Sequence, residues 1–140
     1  MTKQPSGSPA GGEGPAESAG DGRKVVNWNI ALQCVNGDRQ LLRDIAEAFL
    51  DESPRLLTEM RRAIASSDSR ALRRAAHSLK GSTGYFGSAR ASQMAARLQS
   101  MAERGELTGA ADELAAVEPE VAKLARILVD YLAGRIDPSK

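Results

Sequence analysis

Residues 68–105 read DSRALRRAAHSLKGSTGYFGSARASQMAARLQSMAERG, and this stretch decides the fold. Its apolar positions form two groups with helical spacing: Leu72, Ala75, Ala76 and Leu79, then Ala91, Met94, Ala95, Leu98 and Met101. Ser67 or Asp68 can cap the first helix and Ser88 the second, because short polar side chains accept hydrogen bonds from a first turn. A glycine-rich run at residues 84–87 ends the first helix. The pattern predicts two amphipathic helices that a short turn makes antiparallel neighbours.

Upstream of this stretch, residues 38–66 carry a further stripe of apolar residues at helical spacing. Its members are Leu42, Ile45, Phe49, Leu56, Met60 and Ile64. Pro54 falls inside the stripe, and we expect it to kink or briefly break the helix near residues 52–53, because proline removes a backbone hydrogen bond. A short helix is expected before this one, capped by Asn29 and ended by Gly37, and Asp38 is expected to cap the long helix that follows.

Downstream of the central stretch, Thr108 is expected to begin a last helix, which Pro119 is expected to bend. Its apolar residues repeat at heptad spacing: Leu114, Val117, Val121, Leu124, Leu128 and Tyr131. No alternating strand pattern or hairpin turn competes with these helices. The sequence therefore predicts an all-α protein, an antiparallel up-down-up-down four-helix bundle with a short additional N-terminal helix.

The two ends of the chain differ from the middle. Gly, Pro and Ser make up 12 of residues 1–24. Such a segment buries too little apolar surface to offset its chain entropy, which predicts a disordered tail, either a solvated leader or a tether to another module. Residues 25–134 are expected to form the bundle, and residues 135–140 a frayed C-terminus.

Composition excludes several classes of function. The net charge is +1, so bulk charge does not favour nucleic-acid binding. The single cysteine, Cys34, excludes an internal disulfide, and the single histidine, His77, excludes a multi-histidine metal site. No apolar run of about 18 residues could span a membrane, and no signal peptide is visible. We expect a cytoplasmic, monomeric protein that binds neither membrane nor nucleic acid.

The histidine lies outside the apolar face of its helix. At about 100° per residue, Arg73 lies about −40° and Lys80 about −60° from His77. Gly81 and Gly84 lie at about +40° and −20° by the same geometry. The glycines have two interpretations: they unwind the end of the helix, or they leave a clearing beside the imidazole where a partner approaches.

An exposed imidazole between two cations, with room for a partner, suits phosphoryl transfer, because the histidine can attack phosphorus while the cations stabilise the added charge. A lone histidine is more often an ordinary surface residue, so this inference depends on its neighbours. No Walker loop or kinase glycine-rich loop is present, which leaves the chain without a visible ATP site. The sequence indicates a phosphoryl carrier rather than an enzyme.

The run from Arg73 to Gly87, RRAAHSLKGSTGYFG, resembles the signature of histidine-containing phosphotransfer (HPt) domains. The resemblance extends over residues 27–132, because the order and length of the predicted helices also agree. Within a four-helix pattern the short H-x-x-K-G core is fairly specific.

The resemblance assigns roles to individual residues. It implies that His77 is the phosphorylated nucleophile, that Lys80 stabilises the phosphoryl charge, and that Gly81 lets a receiver domain dock. Gln99 matches a glutamine found near the active histidine in some members, which implies a hydrogen bond near the phosphohistidine; the alternative is a plain surface residue. Arg73, Arg74 and Gly84 are expected to contact the partner, and Phe86 to pack in the core. Glu103 departs from the pattern, since some members carry a cation there.

The resemblance also implies partners. The chain would accept a phosphoryl group from a receiver-domain aspartyl phosphate, in a response regulator or hybrid sensor kinase, and pass it to another receiver. No cofactor is expected on the chain, and Mg²⁺ is expected on the partner receiver. Two alternatives stay open: a helical adaptor that is never phosphorylated, and a phosphotransfer domain phosphorylated directly by a histidine kinase. The sequence does not identify the receivers or the direction of transfer, nor does it distinguish a free-standing protein from an excised domain.

Overall fold

The structure is a computed structural model that describes residues 25–139. In this range the chain forms five helices and no strand: α1 (Trp28–Cys34), α2 (Arg39–Ala65), α3 (Ser69–Tyr85), α4 (Ala89–Glu103) and α5 (Ala110–Leu132). Helices α2 to α5 pack in a ring, α2 against α3, α3 against α4, α4 against α5, and α5 back against α2. The predicted four-helix bundle with a short leading helix is confirmed. The tail predicted for residues 1–24 lies outside the described residues.

The core runs along the centre of the bundle, and α3 contributes a narrow part of it. The buried residues of α3 are Leu72, Ala75, Ala76, Leu79 and Thr83. Phe86, directly after the helix, is fully buried and meets Phe49 of α2 edge to face, with 5.9 Å between ring centroids. The expected packing role of Phe86 is therefore confirmed, and most of the circumference of α3 is left to solvent.

Two of the four predicted N-terminal caps form as expected. Asp38 accepts from the N–H of Leu41 at 3.0 Å, and Asp68 accepts from the N–H of Ala71 at 3.1 Å. The cap of α1 is Asn27, which accepts from Ile30 at 3.2 Å; the prediction of Asn29 is wrong because that residue already lies in the first turn.

The starts of α4 and α5 also differ from expectation. Ser88 occupies the cap position of α4 but makes no cap hydrogen bond, because its hydroxyl donates to the carbonyl of Val25 instead. Helix α5 begins at Ala110, after Gly109 in the left-handed region at φ 88°, and not at Thr108. Both differences arise from tertiary contacts or backbone geometry that cap preferences do not encode.

The break predicted at Pro54 is wrong, because α2 is continuous from Arg39 to Ala65. Pro54 is exposed, so the proline ring lies on the solvent side, where the backbone carbonyl that loses its partner can be hydrated. Pro119 is likewise an exposed residue inside the continuous helix α5.

The C-terminal segment contacts the bundle. Pro138 is buried, Ile136 packs against the core, and Arg39 lies 3.6 Å from Asp137. Fraying of residues 135–140 stays a prediction. Among the helices of residues 25–139, none is long and apolar enough to cross a membrane.

Hydrogen bonds join the segment before α1 to the turn between α3 and α4. The N–H of Asn27 donates to the carbonyl of Phe86 at 2.8 Å, next to the bond from Ser88 to Val25. Gly87 lies in this turn at φ 62°, and a Cβ added there would stand 2.5 Å from Cβ of Asn27. Glycine is needed here both for the backbone conformation and for the close approach of the two segments.

We predict that Gly87→Ala destabilises the domain by more than about 2 kcal/mol, because left-handed strain of about 1 kcal/mol adds to the contact with Asn27. Gly105→Ala is the matched control: Gly105 has φ 68°, but an added Cβ meets nothing within 4 Å. Urea unfolding measures both variants. Equal losses for the two would show that the packing of Asn27 on Gly87 contributes no stability.

Candidate functional site

His77 lies near the middle of α3 on its exposed side, as predicted. Ala76 and Leu79, its near neighbours in sequence, are fully buried, so the helix fixes the direction of the imidazole away from the core. Within residues 25–139 no hydrogen bond or ion pair engages the ring. The imidazole is thus positioned by a rigid helix and is free to react.

Three basic side chains flank the histidine. Arg73 and Arg74 are exposed, whereas Lys80 is half-buried and not fully exposed as the helical wheel suggested. A lysine can bury its aliphatic stem while its ammonium group stays in water, so Lys80 still offers a charge beside the ring. In the described part of the chain none of the three forms an ion pair. Their charge is available to an incoming anion.

The two glycines do not unwind the helix, because α3 continues through both and ends at Tyr85. A Cβ added at Gly81 would meet nothing within 4 Å, and one added at Gly84 would meet only Oγ of Ser92, at 3.8 Å. Neither position requires glycine for packing or for backbone conformation. The surface beside His77 is therefore open, which agrees with the clearing predicted for a partner.

Helix register brings Gln99 to the level of His77. Gly84 adjoins Ser92 across the antiparallel pair α3 and α4, and Arg73 shares a shallow groove with Glu103 farther along. On α4, Gln99 lies seven residues after Ser92 and four residues before Glu103. On α3, His77 lies seven residues before Gly84 and four residues after Arg73, so the intervals match. Since seven residues make about two helical turns, Gln99 and His77 lie between these two pairs of residues.

Only one of the two polar atoms of the Gln99 side chain has a hydrogen-bond partner among the described residues. Its Nε2 donates to Glu103 at 3.1 Å, while its Oε1 is buried without a hydrogen-bond partner among the described residues. A hydrogen bond from Gln99 to a phosphohistidine stays a prediction.

An apolar surface at the C-terminal end of α3, where α2 packs against it, was missed by the sequence analysis. Leu41 is 42% exposed, and the half-buried Ile45 and exposed Ala48 follow it along α2. Tyr85 of α3, also 42% exposed, lines a cleft of about 180 Å³ with Ile45 and Ala48. One signal was available: the adjacent residues Leu41 and Leu42 cannot both face the core.

No group of three or more metal-ligating side chains is found in residues 25–139. The site consists of one exposed imidazole on a bundle helix, basic side chains on both sides of it, and an open glycine surface. That arrangement fits a helical module that accepts a phosphoryl group.

The comparisons with known proteins give the family. Residues 44–128 match the model described as Hpt domain, which spans more than half of the chain, so the chain belongs to that family. The Hpt family carries out histidine phosphotransfer in two-component signalling. Its members are phosphoryl carriers rather than enzymes with their own ATP site. No curated protein matches the chain.

Two solved structures share the fold. The chain is similar to histidine-containing phosphotransfer protein B (HptB) from Pseudomonas aeruginosa PAO1, with a TM-score of 0.73 and 22% identity over 79% of this chain and 96% of that one. It is also similar to the HPT domain of the Hpt sensor hybrid histidine kinase from Shewanella, with a TM-score of 0.71 and 19% identity at the same coverage, 79% and 96%. At these identities the likeness concerns the fold.

We predict that Lys80→Ala slows phosphoryl transfer to His77 while it lowers stability by no more than about 1 kcal/mol, because only part of the lysine stem is buried. The hydrogen bonds that the Lys80 carbonyl accepts from Ser92 and Thr83 are unaffected by the change. Transfer rates and urea unfolding measure the two effects. A large stability loss with normal transfer would show that Lys80 serves the fold.

Proposed function

We propose that this chain accepts a phosphoryl group on His77 from the aspartyl phosphate of a receiver domain and passes it to the aspartate of another receiver. The observation that carries the proposal is the exposed ring of His77, without a partner in the described residues, beside the open surface at Gly81. A receiver is a folded domain, so its reactive aspartate reaches the imidazole only if the surrounding surface lets the domain approach.

The transfer is a single displacement at phosphorus. An unprotonated ring nitrogen of His77 attacks, a P–N bond forms, the P–O bond to the aspartate breaks, and the carboxylate leaves with the electron pair. The other ring nitrogen keeps its proton, so the ring carries the positive charge. Lys80, three residues along α3 from His77, stabilises the negative charge that gathers on the phosphoryl oxygens. The second transfer is the same reaction in reverse.

The surface around His77 supports docking of a domain rather than binding of a small molecule. Gly81 and Gly84 carry no side chains that would obstruct a partner domain, and beyond them, at the end of α3, the exposed Tyr85 lines an apolar cleft with Ile45 and Ala48 of α2. Such contacts align the two reacting groups, which contributes much of the rate when little covalent chemistry is left to the protein. Mg²⁺ would be held by carboxylates of the receiver, since residues 25–139 hold no metal-ligating cluster.

Phosphorylation can distinguish this proposal from the two alternatives. A purely structural adaptor would take up no acid-labile phosphate from any donor. A domain served directly by a histidine kinase would be labelled by the ATP-bound kinase in the absence of a receiver. Incubation of the chain with a panel of phosphorylated receivers, and separately with kinase domains and ATP, separates the three. A cytoplasmic location and a monomeric state belong to the same proposal.

We predict that His77→Gln abolishes transfer from a phosphorylated receiver, because the chain has no other histidine. Helicity should be unchanged, since the side chain is exposed. Acid lability and alkali stability of the label on the wild-type chain, followed by gel analysis, identify a phosphoramidate. Label that persists on the variant would place the phosphoryl group elsewhere and overturn the proposal.

We predict that Gly81→Gln blocks transfer from a receiver while the fold stays at least as stable. The added side chain projects into open space and gains up to about 1 kcal/mol of helix propensity, yet it stands in the path of the partner. Small phosphodonors that react with the histidine should be far less affected. Ala122→Gln, at an exposed position of α5, is the matched control and should transfer normally. Normal transfer by Gly81→Gln would refute the docking surface.

A further inference from the structure

The N-terminal half of α3 carries three arginines that serve no visible purpose in the fold. Arg70, Arg73 and Arg74 are exposed, and within residues 25–139 none of them forms an ion pair or a side-chain hydrogen bond. On the helical wheel they lie at about +20°, −40° and +60° from His77, which puts all three on the face of the histidine. We call these three residues the basic stripe.

Elsewhere on the surface, arginines are commonly paired. The ion pairs of the described residues include Arg61 with Glu118, Arg90 with Glu120, Arg97 with Glu113, Arg104 with Glu106, and Arg135 with Asp130. The carboxylate that faces the stripe from the neighbouring helix is Glu103, in a groove with Arg70 and Arg73, and it accepts a hydrogen bond from Gln99 instead. The positive charge of the stripe is thus local and largely uncompensated on a chain whose net charge is only +1.

The face of α3 is therefore polarised along the helix axis. Toward the C-terminus from His77, Lys80 is followed by the small or apolar residues Gly81, Gly84 and Tyr85; toward the N-terminus the face carries three arginines. A partner that covers both halves of this face matches the basic half and the apolar half in only one orientation. Charges at the rim of an interface set the association rate and reject wrong partners more than they add affinity.

We propose that the basic stripe docks an acidic surface of the receiver partner, and that it selects and orients receivers with carboxylates beside the phosphoacceptor aspartate. This inference rests on the proposed function. By helix geometry Arg70 lies about 10 Å and Arg74 about 4.5 Å along the axis from His77. A standard interface buries about 800 Å² per partner, a patch of roughly 16 Å radius, so a receiver centred on His77 also covers the stripe.

A receiver fits the stripe better than a nucleic acid or an anionic membrane. Three charges neutralise few phosphates, and a polyanion bound along α3 would cover the histidine that has to react. A carboxylate-bearing protein surface needs no more than three arginines, because guanidinium groups pair with carboxylates through two parallel hydrogen bonds.

The test compares two double variants with the same change in net charge. Arg70→Gln with Arg74→Gln removes two charges from the stripe; Lys123→Gln with Arg126→Gln removes two exposed charges from α5 and is the control. Receiver domains phosphorylated with acetyl phosphate serve as donors, and they are chosen to span acidic to basic surroundings of the aspartate. The readouts are kcat/KM for transfer and the Kd of the unphosphorylated receiver, each measured from low to high NaCl.

For acidic receivers we expect the stripe variant to lose about tenfold in kcat/KM and to weaken Kd at low salt, with the loss vanishing at high salt, where charges are screened within about 3 Å at 1 M. The control should stay within about twofold of wild type. The preference of the wild-type chain for acidic receivers should be reduced in the stripe variant.

Three results would overturn the proposal: equal losses in the two double variants, a loss independent of salt, or tighter binding to a DNA duplex or to phosphatidylserine vesicles than to any receiver. If the wild-type chain takes no label on His77, the proposed function fails, and the salt dependence of Kd still decides whether the stripe docks an acidic receiver. If the chain is labelled but the stripe variant behaves as wild type, the proposed function stands and the stripe proposal fails.

Discussion

The narrow apolar face of α3 is the constraint on which the rest of the molecule depends. A helix that buries only Leu72, Ala75, Ala76, Leu79 and Thr83 turns most of its circumference to solvent. The small alanines let α3 lie close to its neighbours, so close that Oγ of Ser92 on α4 donates to the backbone carbonyl of Lys80 at 3.3 Å. Because the core uses so little of α3, the opposite side is free to carry a functional surface without loss of packing.

The helical bundle, and not a pocket around the imidazole, positions the functional side chains on that surface. His77 sits on a helix held by α2 and α4, so its position is set by backbone hydrogen bonds and core packing rather than by contacts of the imidazole itself. An imidazole held in this way has no side-chain partner to give up before it reacts. Each of the two glycines lowers the stability of the isolated helix by up to about 1 kcal/mol, which the packing of the bundle offsets. Neither the packing nor the backbone conformation at Gly81 and Gly84 requires glycine.

The sequence predicted those parts of the structure that depend on local periodicity, and it failed where tertiary contacts decide. Helical spacing and the caps at Asp38 and Asp68 were sufficient for the bundle and for the exposure of His77. The hydroxyl of Ser88 was assigned to its own helix, whereas it bonds Val25, which lies far away in sequence. The apolar surface of α2 at Leu41, Ile45 and Ala48 was missed because periodicity shows which residues face the core and not which of the remaining apolar ones gather on the surface.

The position of Gln99 shows how local geometry and long-range register combine. A sequence places Gln99 on a helix but does not say which residue of α3 it faces, because the length and geometry of the turn decide the register. In the structure Gly84 adjoins Ser92, and Arg73 lines the same groove as Glu103; His77 and Gln99 fall between these two pairs at matching intervals. In the unphosphorylated chain Gln99 donates to Glu103, so an amide that turns toward a phosphoryl group must first leave that carboxylate. Glu103 therefore competes with a phosphoryl group for the amide of Gln99, whereas Lys80, Arg73 and Arg74 form no ion pair among the described residues and keep their charge for an incoming anion.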